Sequence, residues 1–238
     1  MYQPPHFRED RLEVLHALMR AHPLGLLVSG GPGGLMANPV PFLLHADMSE
    51  RGTLHCHVSR ANPHWRELQA VAECLVVFQG PQRYITPSWY ETKRATGKVV
   101  PTWNYATVHA WGPPRVIEDT EWLRANVEAL TRAHEGPRPA PWAVNDAPPE
   151  FVAAQLRGIV GIEIRIDKLE GKFKLGQNRS AADRAGVIAA LAAIGRDEDA
   201  ALARLMEREE KTDAQQLGAC RQTCDDACKG EKGTDPQK

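Results

Sequence analysis

The chain has 238 residues, 42% of them hydrophobic and 25% charged, enough for one large β domain or two small ones with a real core. Its net charge of −1 and pI of about 6.8 give no general positive field for a nucleic-acid backbone, so DNA is possible as a partner but is not supported by charge. No apolar run of about eighteen residues predicts a membrane span, and Met1–Phe7 lacks the basic and apolar regions of a signal peptide, which points to the cytoplasm.

Apolar positions Leu12, Leu15, Leu18 and Met19 share a helical face and predict a helix over Glu9–Ala21, closed by His22-Pro23. Leu24–Ser29 reads as a strand, Gly30–Gly34 as a turn, and Leu35–His45 as a second strand. Pro39 and Pro41 cannot donate to a ladder, so they place that strand at an edge, a bulge or a ligand-facing gap. Thr53–Ser59 is a strand, and Asn62-Pro63 looks like an N-cap with proline at the first position of a helix reaching Ala70. Glu73–Gln79 predicts a strand, Glu91–Lys98 a mobile loop, and Val99–Ala110 a strand that Gly112-Pro113-Pro114 breaks before Arg115–Glu118. Thr120–His134 is amphipathic and helical, Gly136–Pro149 irregular, Pro149–Leu156 a short helix and Ile159–Ile166 a β-branched strand. Ala182–Ile194 and Glu198–Met206 read as helices. The order predicts a mainly β fold with peripheral helices, a barrel rather than a parallel sheet, over residues 1–206. Residues 207–238 lose hydrophobicity and are expected to be a disordered tail.

Four features could carry chemistry. Tyr84, Trp89, Tyr90, Trp103, Tyr105 and Trp111 are interleaved with prolines and small polar residues between Gln79 and Trp111. That block is either a barrel wall with a tryptophan rim or a stacking surface for a flat ligand. In His55-Cys56-His57-Val58-Ser59-Arg60-Ala61-Asn62, a strand meets a helix start. Arg60 and Ser59 there are either phosphate donors beside free N–H groups or a surface arginine and an ordinary cap. His55 and His57 read as structural histidines, since no third ligand stands near them for a metal. Gly171–Arg179 places Lys172 and Lys174 on one face if extended, and is either an anion or heterocycle site or a solvated strand end. Cys56 and Cys74 read as small buried hydrophobes. Cys220, Cys224 and Cys228, four residues apart, match no common zinc spacing and read as adventitious or as a redox-sensitive tail more than as a metal site. No nucleophile elbow, Walker or Rossmann fingerprint is present, and no catalytic residue is assigned.

Together these blocks resemble the PaiB-type family, the FMN-binding negative transcriptional regulators. The resemblance rests on Met1-Tyr2-Gln3-Pro4-Pro5-His6-Phe7-Arg8, Ser59–Pro63, Tyr84–Tyr90, Val100–Tyr105 and Gly171–Arg179, in order from Met1 to about Met206. It implies an FMN-binding split β-barrel like that of pyridoxamine-phosphate oxidases, in which two protomers pair and each flavin lies in the cleft between them. It further implies that His57, Ser59, Arg60 and Asn62 lie at the phosphate, with Asn38 near the isoalloxazine edge. Trp103 or another aromatic of the block would cover a ring face, Asn104, Gln177 and Asn178 would supply amides, and Lys172 and Lys174 positive charge beside the phosphate or beside the ring. Gly176 stands where the family has serine, which removes a hydroxyl from that segment. Three functions follow as expectations: a flavin-binding negative regulator of transcription, an FMN-dependent oxidoreductase, or a cofactor-free dimeric interaction protein.

Overall fold

The computed structural model describes residues 1–209. It divides into two compact units, one made of Met1–Gly80 with Ala106–Phe173, the other of Pro81–Tyr105 with the chain from Lys174 onward. The chain runs through β1 (Arg8–Glu9), α1 (Leu12–Ala21), β2 (Leu24–Gly31), β3 (Gly34–Pro41), β4 (Leu43–His45), β5 (Thr53–Ser59), α2 (His64–Leu68) and β6 (Cys74–Ile85). It continues through α3 (Glu91–Thr96), β7 (Thr102–Gly112), β8 (Pro114–Ile117), α4 (Thr120–Glu135), α5 (Pro149–Arg157), β9 (Ile159–Arg165), β10 (Lys168–Lys174) and α6 (Ala181–Ile194). Residues 197–209 form α7. The strands make a six-stranded sheet, β1-β10-β7-β6-β2-β3, and a four-stranded sheet, β4-β5-β9-β8.

In the first unit, alternation sets the core. Leu27, Val76, Phe78 and Val108 of the larger sheet are at most 1% exposed, as are Leu54, Cys56, Ile162 and Ile164 of the smaller. Each such aliphatic side chain contributes about 2 kcal/mol of transfer free energy. β5 pairs with β9 along its whole length, from Thr53↔Arg165 to Ser59↔Ile159. α4 packs on that pair. Asp119 caps it by accepting from the Trp122 N–H at 2.8 Å. Trp122 lies flat enough on β9 that a Cβ at Gly161 would come within 2.3 Å of its ring, so only glycine fits there. β3 is an outermost strand, which is where Pro39 and Pro41 can be accommodated without losing ladder bonds.

Several boundaries differ from the sequence reading for identifiable reasons. Glu9 belongs to a strand, since Arg8 and Glu9 pair with Lys172 and Gly171. The helix therefore starts later, at Leu12. The expected strand over Leu35–His45 is two strands separated at Phe42, whose N–H bonds the Pro23 carbonyl. β6 continues through Gly80-Pro81 to Ile85.

In the second unit, the expected loop over Glu91–Lys98 is largely the helix α3. Tyr90 offers it no side-chain cap. The cap comes instead from Asp183 on α6, whose carboxylate accepts from the Thr92 N–H and the Thr92 hydroxyl, each at 2.8 Å. Ser180 caps α6 in turn. Val187 and Leu191 of α6 and Leu202 and Met206 of α7 are buried. Of the expected tail over 207–238, residues 207–209 belong to α7, and the rest, with Cys220, Cys224 and Cys228, lies outside the described residues.

Candidate functional site

In the first unit, the end of β5 and the turn into α2 bring several candidates together. Ser59 is exposed, and its Oγ accepts from the Ala61 N–H at 3.3 Å. The Arg60 guanidinium donates to the Arg157 carbonyl at 3.1 Å, to the Ile159 carbonyl at 3.3 Å and to the Glu118 carboxylate. Those bonds use three of its five N–H groups and hold the turn against β9. Two N–H groups and the Ser59 hydroxyl are the donor set left for an anion. The Asn62 carboxamide accepts from the His64 N–H at 3.0 Å. Asn62 was expected as the N-cap, but α2 starts at His64 with Pro63 in the N-cap position, so the amide acts from one residue further out. Trp65 locks the turn by donating from its indole to the Arg60 carbonyl at 3.0 Å.

His64, which the sequence reading passed over, is the hub. Its ring is fully buried. Nε2 lies 2.9 Å from Ser29 Oγ on β2, and Nδ1 lies 2.9 Å from Asn38 Nδ2 on β3. Asn38 and Asn62 thus meet at one residue. The available signal was its place directly after Asn62-Pro63, at the first helical position. Burial pushes the His64 ring below the ordinary imidazole range, with the Glu67 carboxylate pulling the other way. Ser29, His64 and Asn38 have the residue types of a nucleophile, base and orienting group. Ser29, however, is only 3% exposed, so no substrate atom reaches its hydroxyl.

His57 faces elsewhere. Its Nδ1 lies 3.3 Å from Asn126 Nδ2 on α4, and burial lowers its pKa. His55, two residues earlier, meets Glu163 at 3.0 Å and stacks between His45 and Trp122. Its pKa is lowered by burial and by His45, against the pull of Glu163. Both side chains bind structural partners under α4. Lys172, on β10, sits over the Tyr2 ring at 5.4 Å.

In the second unit, part of the aromatic block forms a cleft of about 380 Å³ lined by Gln82, Arg83, Tyr84, Thr86, Trp89, Trp103, Arg196 and Glu198. Trp103 is 53% exposed and meets the Tyr84 ring edge-on at 6.1 Å. An exposed indole face beside two arginines is suited to a flat heteroaromatic ring. Asn104 is buried and donates to the Met206 sulfur at 3.7 Å. Lys174 donates to the Thr102 hydroxyl and the Trp103 carbonyl. The Gln177 carboxamide accepts from the Leu175 N–H at 2.8 Å, and Asn178 is exposed on the following turn. Gly176 opens that turn at φ +83°, a left-handed conformation that a serine would adopt only with strain.

Beside this geometry stand four findings. The family model described as "Putative FMN-binding domain" matches residues 1–168. Protease synthase and sporulation protein PAI 2 of Bacillus subtilis is 30% identical over 207 residues, 87% of this chain and 97% of that one. An uncharacterized protein of Emericella nidulans is 34% identical over 249 residues, 90% of this chain and 99% of that one. Among solved structures, the FAD and heme binding protein from Mycobacterium smegmatis superposes with a TM-score of 0.54 at 19% identity, covering 75% of this chain and 78% of that one. At that identity the likeness speaks to fold alone, the flavin-binding split barrel with peripheral helices.

Proposed function

The chain belongs to the PaiB-type, FMN-binding family, and we propose that it works as a homodimeric FMN-binding regulator of transcription with a negative effect on its target. Its cofactor is FMN. The observation that carries the binding reading is the Ser59–Asn62 turn: an exposed hydroxyl and the two unspent N–H groups of a braced guanidinium fit a phosphate dianion. Arg60 would hold the phosphate, in competition with Glu118, while Asn62 keeps the turn in shape. Asn38 would face the edge of the ring. Bound FMN supplies a ring system that takes up and returns electrons. Taken by itself, the Trp103 cleft of the second unit offers a face to a flat ring, and Lys174 braces it through the Trp103 carbonyl.

The homodimer is supported by the outward face of the larger sheet. Leu24, Leu26, Val28 and Leu35 share that face, with Leu75 and Val77 beside them on β6. Leu24 is 64% exposed and Leu35 89%. A continuous apolar face of this kind is stable in water when covered. A second copy covers it without any further component.

The regulatory reading is supported by the Bacillus relative, which is named for protease synthesis and sporulation. The net charge of −1 favours action through a bound state of the protein over broad contact with a DNA backbone. No described helix is long and apolar enough to cross a membrane, in keeping with a place in the cytoplasm.

The test is the absorption spectrum of the purified protein together with its mass in solution. Flavin bands and a dimer mass are expected; a colourless protein that ignores added FMN would contradict the proposal. Steady oxidation of reduced nicotinamide by the loaded protein would instead mark it as an oxidoreductase. A salt-sensitive shift of a promoter fragment would mark direct DNA binding.

A further inference from the structure

The inward face of the β2–β3 hairpin carries a polar chain in a place where apolar packing would serve the fold equally well. His64 is fully buried and Ser29 nearly so, while Asn38 is half-buried. Both ring nitrogens of His64 have a partner at 2.9 Å. A neutral imidazole holds one N–H and one lone pair, so the three residues must agree on a direction. With Asn38 Nδ2 donating to Nδ1, the ring hydrogen sits on Nε2 and Ser29 Oγ accepts it. Asn38 then turns its Oδ1, an acceptor, away from the ring. The reverse direction satisfies the same groups. Ser29 donates to Nε2, Nδ1–H donates to Asn38 Oδ1, and Asn38 turns its NH₂, a donor, away. Neither direction strands a ring nitrogen, and neither changes the net charge.

We propose that Ser29, His64 and Asn38 form an uncharged relay that reads whether the flavin edge beside Asn38 offers a hydrogen or a lone pair. This rests on the reading above that places Asn38 at that edge. Reduction of a flavin adds a hydrogen to a ring nitrogen that carries only a lone pair when oxidised. Oxidised FMN therefore selects the direction with the Asn38 NH₂ outward, and reduced FMN the direction with Oδ1 outward. The choice reaches Ser29 as a change from hydrogen-bond donor to acceptor. Ser29 lies on β2, whose opposite face carries Leu26 and Val28 of the proposed pairing surface. A cofactor state is thereby relayed to the hairpin without moving a charge through the core, as a flavin-responsive regulator requires. Burial of the ring, which disfavours its charged form, keeps the relay neutral.

The experiment is nitrogen NMR of the histidine rings in the full-length protein, first with oxidised FMN and then after reduction with dithionite. The ring hydrogen of His64 is expected on Nδ1 in the first state and on Nε2 in the second. The same tautomer in both states, or a charged ring in either, overturns the relay. A second arm uses Ser29→Ala. An unpaired lone pair is tolerated better than an unpaired N–H, so this variant should favour Nδ1–H. Its affinity ratio should then shift toward oxidised FMN by about fivefold relative to the unaltered protein. An unchanged ratio overturns the proposal. A protein that binds FMN in neither state overturns the cofactor reading and the relay together, whereas tight FMN binding with a fixed His64 tautomer overturns the relay alone.

Discussion

The β2–β3 hairpin has two faces of opposite character. The inward face buries Leu27, Ser29 and Val40 and half-buries Asn38, with two polar side chains answering the two nitrogens of His64. The outward face sets Leu24, Leu26, Val28 and Leu35 toward solvent. The outward face inverts the ordinary order of apolar inside and polar outside, and the inward face departs from it at Ser29 and Asn38. A buried polar chain persists only if every member is satisfied, and an exposed apolar face only if something covers it. The pattern therefore teaches that this hairpin is built to be read from one side and covered from the other.

The comparison can be broken most severely from the outside. Leu26→Lys combined with Val77→Lys puts two charges into the proposed pairing face while leaving the core untouched. Dimer dissociation should become at least about hundredfold easier by sedimentation, with the far-ultraviolet spectrum unchanged. The inward face should answer through stability. His64→Ala opens a cavity and leaves Ser29 and Asn38 facing it, for a loss of about 3 kcal/mol by urea denaturation.

Acid should separate the first unit from the second. His55, His57, His64 and His109 all have pKa values lowered mainly by burial, and all lie in the first unit. The unfolded chain takes up protons near the ordinary value of 6.5 while the folded chain refuses them. Stability is therefore lost as pH falls below 6.5, and the loss levels off below the folded values. The second unit contains no histidine. There, burial of Asp183 is outweighed by the Thr92 N–H and hydroxyl, Ser180 and Arg179, which hold its pKa below the ordinary carboxylate value. Its contribution survives until pH falls through that lowered value. Thermal midpoints between pH 7 and pH 5 should fall, with hydrogen exchange quickening first in β5 and α2. The smallest effect is expected from Asp183→Asn. It weakens the cap on α3 by about 1 kcal/mol, visible as faster exchange of the Thr92 amide with little change in the midpoint.

Much of the fold was legible because its signals are local. The β-branched run of Ile159–Ile166, the amphipathic face of Thr120–His134 and the prolines of β3 each act within a few residues. What stayed hidden depends on partners far along the chain. α3 read as a loop because its cap is supplied by Asp183, 91 residues away. Arg60 and Ser59 were legible as donors, but Glu118 as the partner of Arg60 was not, since it lies 58 residues on. His64 read as one more residue of a capped helix until Ser29 and Asn38, from two other strands, closed on its ring. The serine-to-glycine departure at 176 became intelligible only through its backbone angle.

The most direct measurement is a titration of FMN into the unaltered protein and into Arg60→Ala, followed by flavin fluorescence. The account predicts saturable binding to the first and affinity about tenfold to hundredfold weaker for the second, the cost of losing charge-assisted bonds to a phosphate. Equal affinities would place the phosphate elsewhere and contradict the assignment of the β5–α2 turn.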